Sequence, residues 1–365
     1  MSTVLSRVPQ QVQGAALRAV FALPDPLRRL IAGPPIRKDG ADLALDAQLL
    51  LRLAAVTGSD LTAATPEEAR ATLATAHALL GDSTIPGIRT RSVRIPGQAG
   101  PIPARLYTPV RLAAGSPLLV YFHGGGWVLG DLDSHDSLCR YLAKLADVRV
   151  LSVDYRRAPE HPFPAAADDA LAAFQFAVTN AGALGADPNA IAVGGDSAGG
   201  NLAAVTCYDA IRFGGPRPVF QLLFYPATDA TVRRRSREVF AEGFFLTDAD
   251  MTWFLDHYCP DRARRADPRL SVLLADDLRG LPPAYLATAG FDPLRDEGEA
   301  YADRLRDAGV PVVKSRHEDL IHGFASFTNV GRRFREATAE AAGALRTGLA
   351  LRSRANVVDI FRPTA

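Results

Sequence analysis

A serine between small residues is the first candidate for chemistry in this chain. Gly195-Asp196-Ser197-Ala198-Gly199 directly follows the apolar run Ala190–Val193 and opens a helical segment at Asn201. A sharp strand-to-helix turn exposes the serine hydroxyl, and the glycines leave room for the neighbouring strand and helix. The N-terminal end of that helix favours developing negative charge. The pattern predicts Ser197 as a nucleophile, although the motif is weak when it stands alone.

A second motif, His123-Gly124-Gly125-Gly126-Trp127, follows the apolar run Pro117–Phe122. Acyl transfer passes through a tetrahedral oxyanion, which needs backbone N–H groups directed at the oxygen. Consecutive glycines let the backbone approach that oxygen without an intervening Cβ. The N–H of Ala198, just after the serine, is expected to be a further donor. Two such motifs, each after a strand, favour an acyl-transfer enzyme over a glycine-rich loop without chemistry.

The general base must be a histidine, because a serine hydroxyl is a weak nucleophile until its proton is removed. With this type of turn, the acid and then the histidine follow the serine in the chain, which leaves His257, His317 and His322. His322 lies between the last predicted strand and the last predicted helix, where its ring can reach back to Ser197. We predict His322 as the base, with His317 as the alternative.

The acid partner is expected at the end of another strand. Asp292 follows the apolar run Ala284–Ala287, at the strand end where sites of α/β proteins assemble. The nearby Asp296 and Glu297 are competitors, although they are also suited to the first turn of the next helix. Asp229 is a weaker alternative.

The elements that position these residues alternate between strands and helices. A hairpin is predicted from Arg91–Ile95 and Ile102–Tyr107. The apolar runs that follow are Pro117–Phe122, Val148–Val153, Ala190–Val193, Val219–Phe224, Ala284–Ala287 and Val310–Val313. The helical segments between them are roughly Ser134–Ala146, Pro164–Thr179, Ala198–Ile211, Glu297–Ala308 and Arg333–Leu349. This alternation predicts an α/β fold with a mostly parallel central sheet flanked by helices.

Two segments are predicted to form a helical cap. Residues 1–85 have helical periodicity and no predicted strand, and Thr65 with Glu68 has the pattern of a capping box. Residues 229–276 separate two strands by more than a simple crossover needs, and Asp248–Tyr258 has the pattern of an amphipathic helix. We therefore predict a cap region at 1–85, a catalytic domain at 86–365 and a second cap segment at 229–276. A surface excursion is the alternative for that last segment.

Composition excludes several classes of function. The chain has 365 residues, 41 basic and 40 acidic, so its net charge of +1 does not favour nucleic acid or an anionic membrane. Its three cysteines are far apart, which argues against a disulfide framework and against a zinc site. No apolar stretch is long enough to predict membrane insertion. We expect a cytoplasmic protein.

The motifs together resemble the bacterial hormone-sensitive-lipase-like carboxylesterases, also called family IV lipolytic enzymes, in the α/β-hydrolase superfamily. The matching segments are HGGGW (123–127), SHD (134–136), DYRRAPEHPFPAA (154–166), GDSAGGNLAA (195–204), FDPLRDEGEAYADRL (291–305) and HGF (322–324). They span nearly the whole predicted catalytic domain, and their joint order is specific. Asp196 indicates the GDSAG branch of the family.

The resemblance implies roles for individual residues. It implies Ser197, Asp292 and His322 as the catalytic triad. It implies oxyanion donors at Gly125, Gly126 and Ala198, with Gly124 adjacent, and it implies that the protein uses neither a metal nor a cofactor. His123 is interpreted as an anchor of the oxyanion loop. A buried polar network beneath the active-site loops is predicted from Asp154, Arg156, Glu160 and His161.

The function that follows is a serine carboxylesterase acting on esters with short to medium acyl chains through an acyl-enzyme. A long-chain lipase, an amidase and a non-catalytic ligand-binding relative are the alternatives. Candidates for the pocket walls are Trp127, Phe244, Phe245 and Phe291. The expected partner is a small ester, and a homodimer is possible.

Overall fold

The apolar runs of the sequence build a central sheet. The computed structural model describes residues 10–57, 62–80 and 85–359. Its strands are β1 (Arg37–Lys38), β2 (Ala41–Asp42), β3 (Ile88–Ile95), β4 (Ile102–Pro109), β5 (Ser116–Phe122), β6 (Arg149–Val153), β7 (Ala186–Asp196), β8 (Gln221–Phe224), β9 (Ala284–Phe291) and β10 (Val312–Ile321). β1 pairs only with β2, and the other eight form one sheet. Each predicted run, and each half of the predicted hairpin, overlaps a strand of this sheet.

The order of the strands brings the ends of β5 and β7 side by side. The order across the sheet is β10-β9-β8-β7-β5-β6-β4-β3. Neighbours from β10 to β6 run parallel, whereas β4 pairs antiparallel with β6 and β3. From β5 the chain continues to β6 on one side and then returns to β7 on the other, so the strand order reverses there. Sheets of this kind bind ligands in the crevice at such a reversal.

Helices cover both faces of the sheet. They are α1 (Gln10–Ala22), α2 (Asp25–Ala32), α3 (Leu45–Thr57), α4 (Pro66–Leu80), α5 (Asp136–Ala146), α6 (Ala165–Thr179), α7 (Ala181–Leu184), α8 (Ala198–Arg212), α9 (Arg235–Val239), α10 (Asp248–Tyr258), α11 (Arg295–Asp307) and α12 (Arg332–Asp359). One core packs α6, α8 and α11 on one face of the sheet, and a second packs α5 and α12 on the other. This confirms the predicted parallel sheet flanked by helices, whose central strands are apolar because both of their faces are covered.

The N-terminal region is helical, as predicted, but it also contains the β1–β2 hairpin. Asp39 and Gly40 form the turn, with φ values of 52° and 83°. An Asp-Gly pair tolerates the positive φ that a tight hairpin turn needs. The prediction that residues 1–85 contain no strand was therefore wrong, because each of these strands has only two residues and no apolar alternation reveals it. Residues 1–9, 58–61 and 81–84 of this region lie outside the described residues.

The segment 229–276 contains α9, α10 and two short 3₁₀ helices, at Arg262–Ala266 and Val272–Leu274. α10 begins with a capping box, in which the Thr247 hydroxyl accepts the N–H of Asp250 and the Asp250 carboxylate accepts that of Thr247. The predicted amphipathic helix 248–258 has the same bounds as α10. Its Phe254 and Leu255 point into the core that also contains Trp127, so the segment is packed on the loop after β5.

The packing of α8 against the end of β5 leads to a prediction about stability. A Cβ on Gly199 would overlap the carbonyl oxygen of Phe122. We expect Gly199→Ala to lower the free energy of unfolding by about 3 kcal/mol, the upper part of the range for an overpacked core. As a control, Gly343→Ala in α12 meets no atom within 4 Å and should stabilise the protein by about 1 kcal/mol. Urea unfolding followed by circular dichroism measures both; equal stability of the two variants would contradict the prediction.

Candidate active site

Ser197 occupies the turn between β7 and α8. Its backbone has φ 55° and ψ −119°, a conformation that side chains rarely adopt. The N–H of Ser197 donates to the carbonyl of Phe224 at 2.9 Å, which fixes the turn to the next strand. Gly195 and Gly199 face each other across the turn, and a Cβ on Gly195 would overlap the carbonyl of Gly199. The turn is therefore possible only with glycine at both positions, which is why it has this sequence.

A continuous hydrogen-bond relay joins Ser197, His322 and Asp292. Ser197 Oγ lies 3.0 Å from His322 Nε2, and His322 Nδ1 lies 2.9 Å from Asp292 Oδ2. Asp292 is fully buried, and its other oxygen accepts the N–H of Leu294 at 2.8 Å. The Tyr225 ring packs against the imidazole, with ring centroids 4.7 Å apart. The serine, the histidine and the acid predicted from separate loops thus meet in one place.

The alternative histidines and acids have other partners. His317 lies within β10, where it packs on Phe324 and receives a hydrogen bond from Arg333. His257 packs against Trp253 in α10.

The alternative acids also have other partners. The carboxylate of Asp296 accepts the N–H of Ser236. Asp229 pairs with Arg234, and Glu297 binds backbone N–H groups. In the part of the chain that the structure describes, none of these side chains bonds to Ser197 or His322.

The glycine-rich loop after β5 approaches Ser197 from the neighbouring strand. Gly125 and Gly126 have φ values of 113° and 59°, so both positions favour glycine. Within the described residues, the N–H groups of Gly125, Gly126 and Ala198 have no hydrogen-bond acceptor. The N–H of Gly124, in contrast, donates to Asp196 Oδ1 at 3.0 Å. The arrangement therefore leaves three backbone donors for a ligand and uses the fourth to hold the loop.

Asp196, the residue before Ser197, connects the two motifs. It is buried, and besides Gly124 its carboxylate accepts the hydroxyl of Tyr121 at 2.7 Å and lies 3.3 Å from His135 Nε2. Burial disfavours ionisation of this carboxyl, but His135 and the Tyr121 hydroxyl outweigh burial and lower its pKa. The two loops are thus held by one charged group under the site.

His123 supports the glycine loop by packing. Its ring stacks on Tyr155 with centroids 4.2 Å apart, and the Tyr155 hydroxyl donates to the carbonyl of His123 at 2.7 Å. Burial, together with the nearby His135, lowers the pKa of His123 to about 3. The ring is therefore neutral near pH 7 and is buried away from solvent, which suits an anchor rather than a proton carrier.

The predicted buried network of Asp154, Arg156, Glu160 and His161 does not form. Arg156 pairs with Asp169 at 2.7 Å instead, and His161 is exposed. Glu160 is exposed at the surface and forms a bidentate pair with Arg70 of α4. The prediction was wrong because the motif turns at the protein surface, so that its charged side chains point to different neighbours.

Arg70 was missed by sequence reasoning. Besides Glu160, its guanidinium donates to the carbonyls of Val128 at 2.8 Å and Ala158 at 2.7 Å. It therefore fixes α4 of the N-terminal region to the chain that continues from the glycine loop. No local pattern indicates such a contact, because the arginine lies on a helix with ordinary charge and its acceptors are backbone groups far along the chain.

A narrow cavity, partly open to solvent, adjoins the serine. Its walls include Gly126, Trp127, Ser197, Ala198, Ala227, Thr228, Asp229, Ala230, Leu246, Met251, Phe254, Leu255, Leu270, Leu294 and Glu297. Most of these side chains are apolar, and several come from α10. Trp127 lies in the wall as predicted from the sequence.

The other predicted wall residues lie elsewhere. Phe291 is fully buried and packs with Phe244 at 5.2 Å between ring centroids, so both belong to the core beneath the sheet end rather than to the cavity wall. The prediction for these two was wrong, because an aromatic residue near a strand end has the same pattern in a core and in a pocket. Phe245 is 48% exposed and lies beside Gly323 and Phe327.

Comparison with known proteins identifies the family. Residues 119–326 match a family model described as an alpha/beta hydrolase fold. The chain belongs to the α/β-hydrolase family. It is 46% identical over 354 residues to carboxylic ester hydrolase LipN of Mycobacterium tuberculosis, a match that covers 94% of this chain and 93% of LipN. It is 45% identical over 251 residues to carboxylesterase NlhH of the same organism, covering 68% of this chain and 79% of NlhH.

A solved structure agrees with this family. The ester-hydrolase EH1AB1 from the metagenome of Lake Arreo superposes with a TM-score of 0.81 at 42% identity, covering 84% of this chain and 99% of that one. These relatives confirm the predicted fold and the predicted membership among carboxylic ester hydrolases. None of the described helices is both long and apolar enough to cross a bilayer. The described residues contain no cluster of histidine, cysteine and acidic side chains suited to a metal ion.

The position of Asp196 in this α/β hydrolase predicts an effect on turnover. Asp196→Ala leaves the hydroxyl of Tyr121 and the N–H of Gly124 buried without an acceptor, so the glycine loop should move. Loss of oxyanion donors typically costs about 10²–10³ in kcat, and we expect a fall of at least about 10². Asp196→Asn, which keeps an acceptor oxygen, should retain more activity than the alanine variant. Steady-state kinetics on protein shown to be folded by circular dichroism measures this; an alanine variant with the wild-type kcat would contradict it.

Proposed function

We propose that this protein is a serine carboxylesterase that hydrolyses esters with short to medium acyl chains through an acyl-enzyme, with Ser197 as its nucleophile. The observation that carries the proposal is the relay from Ser197 through His322 to Asp292, next to backbone N–H groups without acceptors and beside a mostly apolar cavity. Such a relay activates a serine for acyl transfer.

In the first half of the reaction, His322 Nε2 takes the proton of Ser197 Oγ as the oxygen attacks the ester carbonyl. The carbonyl oxygen becomes negatively charged, and the N–H groups of Gly125, Gly126 and Ala198 are the donors that would stabilise it. The buried carboxylate of Asp292 fixes the tautomer of the imidazole and stabilises its protonated form.

In the second half, the tetrahedral intermediate collapses and the alcohol leaves with the proton that His322 carries. Ser197 is then joined to the acyl group as an ester. A water molecule gives a proton to His322 and attacks this ester, and a second tetrahedral intermediate releases the carboxylic acid. His322 returns its proton to Ser197, so the residues end as they began.

The walls of the cavity support the preference for short to medium chains. Met251, Phe254 and Leu255 of α10 form one wall. Phe254 is in contact range of the glycine loop, since a Cβ on Gly126 would overlap its ring. A long acyl chain would need this aromatic wall to move.

We assign the cap to residues 1–85 together with 229–276. Support comes from α10, which contributes walls of the cavity, and from Arg70 of α4, which is hydrogen-bonded to the loop that follows β5. Both parts therefore touch the edge of the sheet at which the proposed reaction takes place, rather than its far side.

Removal of the proposed nucleophile is the simplest test of the proposed function. Ser197→Ala should reduce kcat for p-nitrophenyl butanoate by at least about 10⁴-fold, as removal of a serine nucleophile does in enzymes with this relay. The exposed Ser92 of β3 provides the matched control, and Ser92→Ala should keep wild-type activity. Wild-type protein without activity on short esters, or a Ser197→Ala variant with full activity, would refute the proposal.

Removal of the Phe254 ring from the cavity wall is expected to change the preference for the length of the acyl chain. Phe254→Ala removes a ring from the cavity wall, and we expect the ratio of kcat/KM for p-nitrophenyl decanoate over butanoate to rise by about tenfold. The added room accommodates methylene groups, each of which contributes up to about 0.8 kcal/mol when buried. An unchanged ratio, measured alongside the control Phe213→Ala at an exposed position, would show that Phe254 does not limit the chain.

A further inference from the structure

Glu297 is an acidic side chain in the wall of the mostly apolar cavity. It lies in the first turn of α11 and is only 3% exposed. Its Oε1 accepts the N–H groups of Thr228 at 2.7 Å and Asp229 at 3.3 Å. Both of these hydrogen bonds go to Oε1, and the described residues place no hydrogen bond on Oε2. The proposed reaction does not use this carboxyl.

Two other polar side chains of the wall, those of Asp229 and Thr228, are occupied by the protein. The carboxylate of Asp229 accepts both the N–H and the hydroxyl of Thr231 and pairs with Arg234. The hydroxyl of Thr228 donates to the backbone carbonyl of Glu297 at 2.8 Å. Among the described wall residues, the second oxygen of Glu297 is thus left available to a ligand, as are Ser197 and the buried indole N–H of Trp127, which has no acceptor.

This carboxyl is mostly protonated at neutral pH. Burial raises the pKa of Glu297 to about 8, against the opposing effect of the N–H groups of Thr228 and Asp229. Among the charged groups, Asp229 raises this pKa and Arg237 lowers it; Asp229 is itself paired with Arg234, and Arg237 with Asp248. Since Oε1 accepts two hydrogen bonds, the proton belongs on Oε2, which is then a donor on a side chain that lines the cavity.

The lining of the cavity favours the acyl side of the ester as its occupant. The departing alcohol must lie next to His322, which supplies its proton. Ser197 and Ala198 are part of the cavity wall, whereas His322 is not. The group that extends into the cavity is therefore the one that stays bound to Ser197 in the acyl-enzyme.

We propose that Glu297 determines specificity by donating a hydrogen bond to an oxygen within the acyl chain, so that the preferred substrates are esters of ether- or hydroxyl-substituted short-chain acids. This inference rests on the proposed function and adds the substrate class. A buried donor without an acceptor costs free energy, and an acyl chain that supplies the acceptor removes that cost.

Pairs of isosteric esters test the inference. The p-nitrophenyl esters of methoxyacetic, 3-methoxypropanoic and 4-methoxybutanoic acids are compared with those of butanoic, pentanoic and hexanoic acids, in which a methylene replaces the oxygen. Each kcat/KM is divided by the rate constant for hydroxide-catalysed hydrolysis of the same ester. At pH 7 we expect wild-type protein to prefer at least one ether ester by about fivefold, as one hydrogen bond between neutral groups allows.

The pH dependence of this preference separates recognition from a structural role. The preference should fall as pH rises through about 8, because ionised Glu297 has no hydrogen to donate. Glu297→Gln keeps an oxygen for Thr228 and an N–H₂ donor for the substrate, so its preference should persist without this fall. Glu299→Gln is the matched control on α11, since Glu299 pairs with Arg316 outside the cavity, and it should behave as wild type.

The possible results are distinct. Equal normalised rates within every pair, or a preference with the same pH dependence in wild type and Glu297→Gln, overturn the inference and leave the proposed function intact. Absence of hydrolysis of all the esters overturns the proposed function and this inference with it. A preference that falls through about pH 8 in wild type and Glu299→Gln, but not in Glu297→Gln, supports the inference.

Discussion

The close approach of α8 to the end of β5 is the constraint on which the site depends. Gly199 lies so near the carbonyl of Phe122 that even a methyl group would overlap it. Because the strand order reverses between β5 and β7, this contact brings the two loops that follow those strands to one point. The serine turn and the glycine loop therefore meet through backbone packing before any side chain is considered.

A buried charge then fixes the two loops relative to each other. Asp196 belongs to the serine turn, and its carboxylate binds the N–H of Gly124 in the glycine loop. A buried carboxylate is costly unless its acceptor capacity is used, so Tyr121 and His135 complete its partners. The N–H groups at Gly125 and Gly126 stay available because the neighbouring Gly124 carries the structural bond.

The sequence predicted the parallel sheet and its flanking helices well, because their signals are local. Apolar runs mark buried strands, and the glycines around Ser197 and after His123 mark turns where side chains do not fit. The choice of His322 over His317 followed from chain order, and the structure places His322, not His317, within hydrogen-bond distance of Ser197.

Contacts between residues that lie far apart in the sequence were predicted less well. Arg70 binds carbonyls of residues far along the sequence, and nothing near it indicates them. Phe291 and Phe244 have the aromatic character of a pocket wall, yet they pack on each other in the core. Local patterns identify that a residue is apolar or able to bind, whereas the neighbour that it contacts is decided by the three-dimensional packing.

Different segments of the chain supply the reactive groups of the site and the walls of its cavity. Backbone geometry at strand ends positions Ser197 and the N–H groups of the glycine loop, whereas the walls of the cavity come largely from the segment between β8 and β9. The two are in direct contact where the ring of Phe254 packs on Gly126. A substitution that moves this ring also moves a proposed oxyanion donor. The shape of the cavity and the position of the glycine loop are therefore coupled through one contact, and a larger side chain at position 254 would displace the glycine loop.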